Sequence, residues 1–324
     1  MSALELPAYD APLRLVEKPV RRPGPGQVVV RIAASPVNPS DLTFLRGLYG
    51  TRKPLPVVPG IEASGTVVAA GPGLYPRLLL GRRVSVIAGD GDGPWAEYML
   101  SPAMRCLPLI KSVTLEQGAM QTVNPWTAWI LLDQARRGGH RAIAHAPAAS
   151  ALGQMMARLQ RRFGLTILHI VRRESQSELL RGLGAEHILN STDPDFDVQL
   201  RERAHRLGVR LAYDAVAGDM TGRLLDALPR HGRVVVYGSI AIEPSRLNPG
   251  NLIFRDQRVE GFWLTSWAAR RNPLQLLRLS LSVQPLLASD LQTTIAARVP
   301  LVEAPAAIER YAANMTKGKV LIVP

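Results

Sequence analysis

Between residues 141 and 237, short apolar runs alternate with segments whose apolar residues recur at helical spacing. No other feature of this 324-residue chain constrains its fold as strongly. The runs cover 141–146, 165–171, 186–189, 210–216 and 233–237, and the helical segments cover 127–135, 151–163, 175–183, 194–207 and 220–228. Strands joined through helices of this length cannot turn back as hairpins; they cross over and lie parallel. The expectation is an α/β domain with a doubly wound parallel sheet of the Rossmann type.

The first third reads differently. Residues 28–32, 63–70, 83–88 and 95–100 form short β-branched or alternating runs, each bounded by Gly or Pro, which predicts a compact barrel-like β domain. The character changes near residue 120. After Trp267 the pattern is mixed and ends in Lys319-Val-Leu-Ile-Val323, a strand-like run able to return to the first domain. The length fits two domains. No internal repeat, low-complexity stretch or long linker separates them.

Several classes are set aside at this stage. No apolar run reaches the roughly 18 residues of a membrane span, and the N-terminus shows no basic stretch followed by an apolar one. The expected compartment is therefore the cytoplasm. The single cysteine, Cys106, excludes a disulfide framework within the chain and a thiolate-clustered zinc site. Thirty-nine basic against 26 acidic residues give a net charge of +13, but the arginines are scattered in ones and twos. Dispersed pairs of this kind belong to solvated surface or ion pairs rather than to a nucleic-acid footprint.

A strand, a tight turn and a helix start follow one another at Ala142-Ile-Ala-His-Ala-Pro-Ala-Ala-Ser-Ala-Leu-Gly-Gln154. Small residues are needed where the backbone approaches a pyrophosphate held at a helix N-terminus. On the G-x-G-x-x-G pattern the key positions are Ala148, Ser150 and Gly153, so one glycine remains; any small-residue strand–helix turn reads the same way. About twenty residues further on, an NAD-selective site places an acid for the ribose hydroxyls. Here the second strand ends Arg172-Arg173, followed by Glu174. Two guanidiniums suit a 2′-phosphate, which points to NADPH rather than NADH.

Several segments, in order along nearly the whole chain, resemble the medium-chain dehydrogenase/reductase superfamily. They are most similar to its zinc-free branch of quinone oxidoreductases and enoyl thioester reductases. They are Asn38-Pro-Ser-Asp41, Gly47-Leu-Tyr49, Pro59-Gly-Ile-Glu-Ala-Ser-Gly65, Trp95-Ala-Glu-Tyr98, Val123-Asn-Pro-Trp-Thr-Ala128, Leu183-Gly-Ala-Glu-His187, Asn251-Leu-Ile-Phe254 and Gly261-Phe-Trp263. The resemblance implies a GroES-like β-barrel domain over 1–122 and 268–324 with a Rossmann domain over 123–267 inserted. It also implies an active-site cleft between them and, as is usual in the family, a homodimer; in the sequence itself the 233–237 strand and residues 238–251 are the candidates for leading to a dimer edge. Zinc-dependent members carry a Cys after the second strand and a Gly-His-Glu, whereas residues 33–38 and Gly60-Ile61-Glu62 contain neither Cys nor His. No metal is expected.

Without a metal to polarise an alcohol, a hydride donor needs an electron-poor acceptor, either an activated C=C (enoyl thioester or enone) or a quinone. Negative charge then develops on the acceptor oxygen, where a hydrogen-bond donor stabilises it. The resemblance makes Tyr49 the candidate proton donor, since a phenol carries its proton at neutral pH; a tyrosine that only packs is the competing reading. It further places Asn124 at the nicotinamide end and Ala149, Ser150, Ala151 and Leu152 at the phosphate turn. Arg172 and Arg173 are placed at the adenosine phosphate, Tyr237 and Gly238 after the fifth strand, Phe262, Trp263 and Leu264 at the carboxamide, and Lys319 on a cofactor phosphate. The six histidines show no ligand spacing, and Asp41 and Glu62 read as capping or turn residues. A reading from another class, an NADPH-binding protein with an RNA-binding or scaffolding task, draws on the net charge alone.

Overall fold

The computed structural model describes residues 1–315 and 318–324 and divides into two units, Met1–Trp126 with Asn272–Pro324, and Thr127–Arg271.

In the second unit six parallel strands form one sheet. In chain order they are Ala142–Ala146, Thr166–Val171, His187–Asn190, Leu211–Asp214, Arg233–Val236 and Arg258–Gly261, and across the sheet they lie 3-2-1-4-5-6. That is the doubly wound order, with its switch point beside the first strand. The first and fourth strands are buried along their whole length, as a parallel strand covered on both faces must be. Leu168, Ile170, Leu200, Leu224, Leu225 and Val234 form the core on one face; Ala148, Ala157, Val171 and Leu180 pack on the other. Fully burying each large aliphatic side chain contributes roughly 1.5–3 kcal/mol.

Two strand readings needed adjustment. The run at 210–216 stops at Asp214, because its carboxylate accepts from the amides of Val216 (2.8 Å) and Ala217 (3.2 Å) and from the hydroxyl of Thr221 (2.7 Å). These bonds turn the chain into the next helix. The sixth strand, Arg258–Gly261, escaped the sequence reading because it has one apolar residue and is largely exposed. It is also one edge strand of the sheet, the other being His187–Asn190.

The first unit is built on the long strand Gln27–Pro36, which pairs antiparallel with Glu62–Ala70, Tyr98–Pro102 and Lys319–Ile322. The C-terminal run therefore does return, with Leu321 opposite Pro36 and Ile322 opposite Ser35. The run at 95–100 becomes a strand only from Tyr98; Trp95 and Ala96 instead join the N-terminal strand Ser2–Glu5 through backbone bonds. No helix among the described residues is long and apolar enough to cross a membrane.

Candidate active site

The first strand of the parallel sheet runs through Pro147, Ala148 and Ala149 into the helix Ala151–Phe163. Ser150 caps that helix: its Oγ accepts from the amide of Gly153 at 3.1 Å. A Cβ on Gly153 would lie 2.2 Å from the carbonyl oxygen of Ala148, so only glycine lets helix and turn close this tightly. The serine that departs from the familiar glycine pattern thus takes one free amide of the helix start. Those of Ala151 and Leu152 remain for an anion, favoured there by the helix dipole.

At the end of the second strand Arg172 and Arg173 are both exposed, and no ion pair among the described residues involves either guanidinium. The neighbouring Glu174 pairs instead with Arg181 at 2.7 Å. A pair of uncommitted forks one strand from the phosphate turn is suited to a phosphate ester.

Tyr237 lies just past the fifth strand, but its hydroxyl turns inward and shares a 2.6 Å hydrogen bond with Nε2 of His145 on the first strand. Burial pushes that phenol's pKa upward, so a cofactor contact here falls to backbone atoms or the ring. Phe262 similarly uses its amide on the carbonyl of Val236 (2.8 Å), which leaves its carbonyl for a ligand. Trp263, 40 % exposed, caps the short helix Leu264–Ala269.

In the first unit, Lys319 departs from its expected role. Its Nζ is buried and its three donors go to Asn38 Oδ1 (2.6 Å), Val37 O (3.0 Å) and the Tyr311 hydroxyl (3.1 Å). An ammonium has three donors; with all of them used inside the protein, none is left for a cofactor phosphate. Glu62 accepts from the amides of Thr122 (3.0 Å) and Val123 (2.9 Å) at the start of helix Val123–Arg137 and from Asn38 Nδ2 (3.1 Å). Asp41 accepts from the amide of Asn38 at 2.7 Å, a helix-start contact, and burial raises its pKa to about 7. Asn124, half-exposed, follows directly on the amides that Glu62 holds.

Tyr49 is half-buried and packs on the cluster of Leu6, Phe44 and Val57. Its loop is fixed by Tyr9, which belongs to no motif. The Tyr9 hydroxyl accepts from the Lys53 amide (2.9 Å) and donates to the Lys53 carbonyl (3.1 Å). Gly47, at φ +69°, is needed where the chain passes this ring, since a Cβ there would lie 2.9 Å from Cγ of Tyr9.

No group of three or more His, Cys, Asp or Glu among the described residues is arranged to hold a metal ion, and Cys106 is buried. His145 and His169 face each other on adjacent strands with no exposure, and burial lowers their pKa values to about 3 and about 4.

The two units, a β domain and a doubly wound parallel sheet, define the scaffold of a two-domain reductase. A family model described as the alcohol dehydrogenase GroES-like domain matches residues 24–111, and one described as zinc-binding dehydrogenase matches residues 151–279. The human mitochondrial enoyl-[acyl-carrier-protein] reductase is 30% identical over 87% of this chain and 77% of its own length. The Xenopus tropicalis protein of the same name is 31% identical over 80% of this chain and 75% of its own. Among solved structures, a putative NADPH:quinone reductase from Mesorhizobium loti superposes with a TM-score of 0.90 at 34% identity, covering 100% of this chain and 98% of that one. The quinone oxidoreductase of Thermus thermophilus, solved alone and with NADPH, superposes at 0.81 with 28% identity and full coverage of both chains. The chain belongs to the medium-chain dehydrogenase/reductase superfamily, with a GroES-like domain and a Rossmann domain.

Proposed function

We propose that this protein is an NADPH-dependent, zinc-independent reductase that delivers hydride to an activated C=C, in an enoyl thioester or enone, or to a quinone. The observation that carries the reading is the capped phosphate turn followed by two guanidiniums without carboxylate partners, in a chain whose relatives are named as enoyl reductases and NADPH:quinone reductases. When bound, NADPH supplies the hydride.

The chain's residues have the following roles. The amides of Ala151 and Leu152, with Ala149 and Ser150 shaping the turn, hold the diphosphate. Arg172 and Arg173 hold the 2′-phosphate. Asn124, the backbone at Tyr237 and Gly238, and the segment Phe262, Trp263 and Leu264 orient the nicotinamide end. The Tyr49 hydroxyl donates to the acceptor's carbonyl oxygen as charge develops there. Zinc independence is part of this reading: a catalytic zinc site needs three converging N, S or O ligands, and among the described residues no group of three or more His, Cys, Asp or Glu is arranged to hold a metal ion.

The protein is a homodimer in this reading, joined through the exposed edge strand Arg258–Gly261, and it works in the cytoplasm. The noncatalytic, RNA-binding reading is not favoured. The arginines are dispersed in ones and twos rather than gathered in a block, and the relatives are named as reductases.

An acceptor screen tests the proposal: stopped-flow NADPH oxidation with 1,2-naphthoquinone, a crotonyl thioester and an enone, with and without a strong chelator, beside an RNA titration over a range of salt. Turnover with at least one acceptor, unchanged by the chelator, is expected. Activity abolished by chelation and restored by zinc would overturn the metal-free mechanism; tight RNA binding with no turnover would overturn the enzyme.

A further inference from the structure

Asn38, Glu62 and Lys319 form a buried charged group that neither the phosphate turn nor the acceptor side accounts for, with exposures of 0%, 1% and 3%. Burying an ammonium and a carboxylate costs several kcal/mol per ion unless their hydrogen bonds are all made. Here they are made in only one sense. The Lys319 ammonium faces three oxygens, among them Asn38 Oδ1 at 2.6 Å, so the Asn38 amide presents its oxygen to the lysine. Its Nδ2 must then point the other way, where it meets Glu62 Oε1 at 3.1 Å. Glu62 Oε2 takes the two amides of Thr122 and Val123 at 3.0 and 2.9 Å. Those are among the amides that a helix start leaves without intrahelical partners, and the next residue is Asn124.

The same stretch holds four buried polar atoms with no hydrogen-bond partner: both side-chain atoms of the Gln121 amide, Thr122 Oγ1 and Trp126 Nε1. Buried polar groups are normally satisfied, and such a concentration around Asn124 suits an incoming polar group such as a carboxamide.

We infer that Glu62 is a positioning residue for the nicotinamide end of the cofactor. It fixes Asn124 through the amides of Thr122 and Val123, and Lys319 sets its hydrogen-bonding sense through the Asn38 amide. The inference rests on the NADPH reading above. A consequence follows from donor arithmetic. In Glu62→Gln one carboxylate oxygen becomes an NH2, which must face either Asn38 Nδ2 or the helix amides, donor against donor. Asn38 cannot turn over to relieve this while Lys319 holds its oxygen. Removing the ammonium as well, in Glu62→Gln/Lys319→Met, frees Asn38 to turn.

The test is equilibrium binding, followed by the fluorescence of bound NADPH and by displacement with 2′-phosphoadenosine 5′-diphosphate, a fragment lacking nicotinamide. Glu62→Gln is expected to weaken NADPH about tenfold, the scale of one lost charge-assisted hydrogen bond, and to leave the fragment within about twofold. The double variant is expected to recover NADPH binding to within about threefold of wild type. Equal losses for NADPH and fragment, no loss, or additive losses in the double variant overturn the inference. If Glu62→Gln alone does not fold by circular dichroism, the double variant must still fold and bind NADPH to within about threefold and the fragment to within about twofold of wild type, and failure of either overturns the inference. A wild-type protein that binds neither molecule overturns the NADPH reading itself, and the inference with it.

Discussion

In the proposed reading, Arg172 and Arg173 separate two cofactors that differ by one phosphate. Replacing both with Ala should weaken NADPH about 10- to 100-fold, the range for one to two charge-assisted bonds, and NADH no more than about threefold. Parallel losses measured by fluorescence titration would show that the guanidiniums do not read the 2′-phosphate. Tyr49→Phe should slow enone or thioester reduction at least about 100-fold, the lower range of general acid catalysis, with little change toward a quinone. Equal rates with every acceptor would make Tyr49 a packing residue of the Leu6–Phe44–Val57 cluster. Residues whose partners are local were legible in the sequence: Ser150 caps three residues ahead, and Gly153 touches Ala148. Lys319 and Tyr9 were not, because their partners lie 282 and 44 residues away and only the folded chain brings them together. A lysine in a family motif beside a predicted phosphate site invited the wrong partner.

The strands of the parallel sheet bring together His145 and His169, 24 residues apart in sequence, and leave both ring nitrogens of His169 without a partner. Their folded pKa values, about 3 and about 4, lie below the ordinary histidine value of 6.5. The unfolded chain therefore binds more protons below pH 6.5, and their contribution to stability, complete above that pH, is lost as pH falls toward 4. Asp41 acts in the opposite sense. Its folded pKa, raised to about 7 from 3.8, adds stability at low pH that is lost as pH rises between those values. A single-site comparison isolates the histidine. His169→Leu should stabilise the protein at pH 7 by about 1 kcal/mol, by removing two unsatisfied polar atoms. Between pH 7 and pH 5 the variant should lose about 2 kcal/mol less than wild type. Urea melts at the two pH values check both, and parallel pH slopes would show that His169 titrates normally. Elements with a clear period, such as helix Ala151–Phe163, could be read to the residue. The edge strand Arg258–Gly261 could not, because an exposed strand needs no apolar alternation.

For the whole molecule, the division into two units and the return of the tail were visible as a change of pattern near residue 120 and a final strand-like run. The partner of that run was not, since strand pairing leaves no local mark. The edge strand carries the oligomer prediction. The amides of Arg258 and Phe262 bond to the neighbouring strand at Gly232 and Val236, so by strand alternation the amide of Val259 points to the free edge. Val259→Pro should remove that outward donor, leave the sheet folded and convert a dimer to a monomer in light scattering. A wild-type monomer at micromolar concentration would end the proposal.

The pairing of Lys319–Ile322 with Gln27–Pro36 also bears on how the molecule is made. On the ribosome, the nucleotide-binding half has all its strands before Lys319–Ile322 is translated, whereas the strand Gln27–Pro36 waits for that neighbour until after the whole of that half has emerged. Contacts so far apart in sequence form slowly. The nascent protein thus passes through a stage with one half complete and the other holding an open sheet margin, and during that stage it most needs protection from other chains.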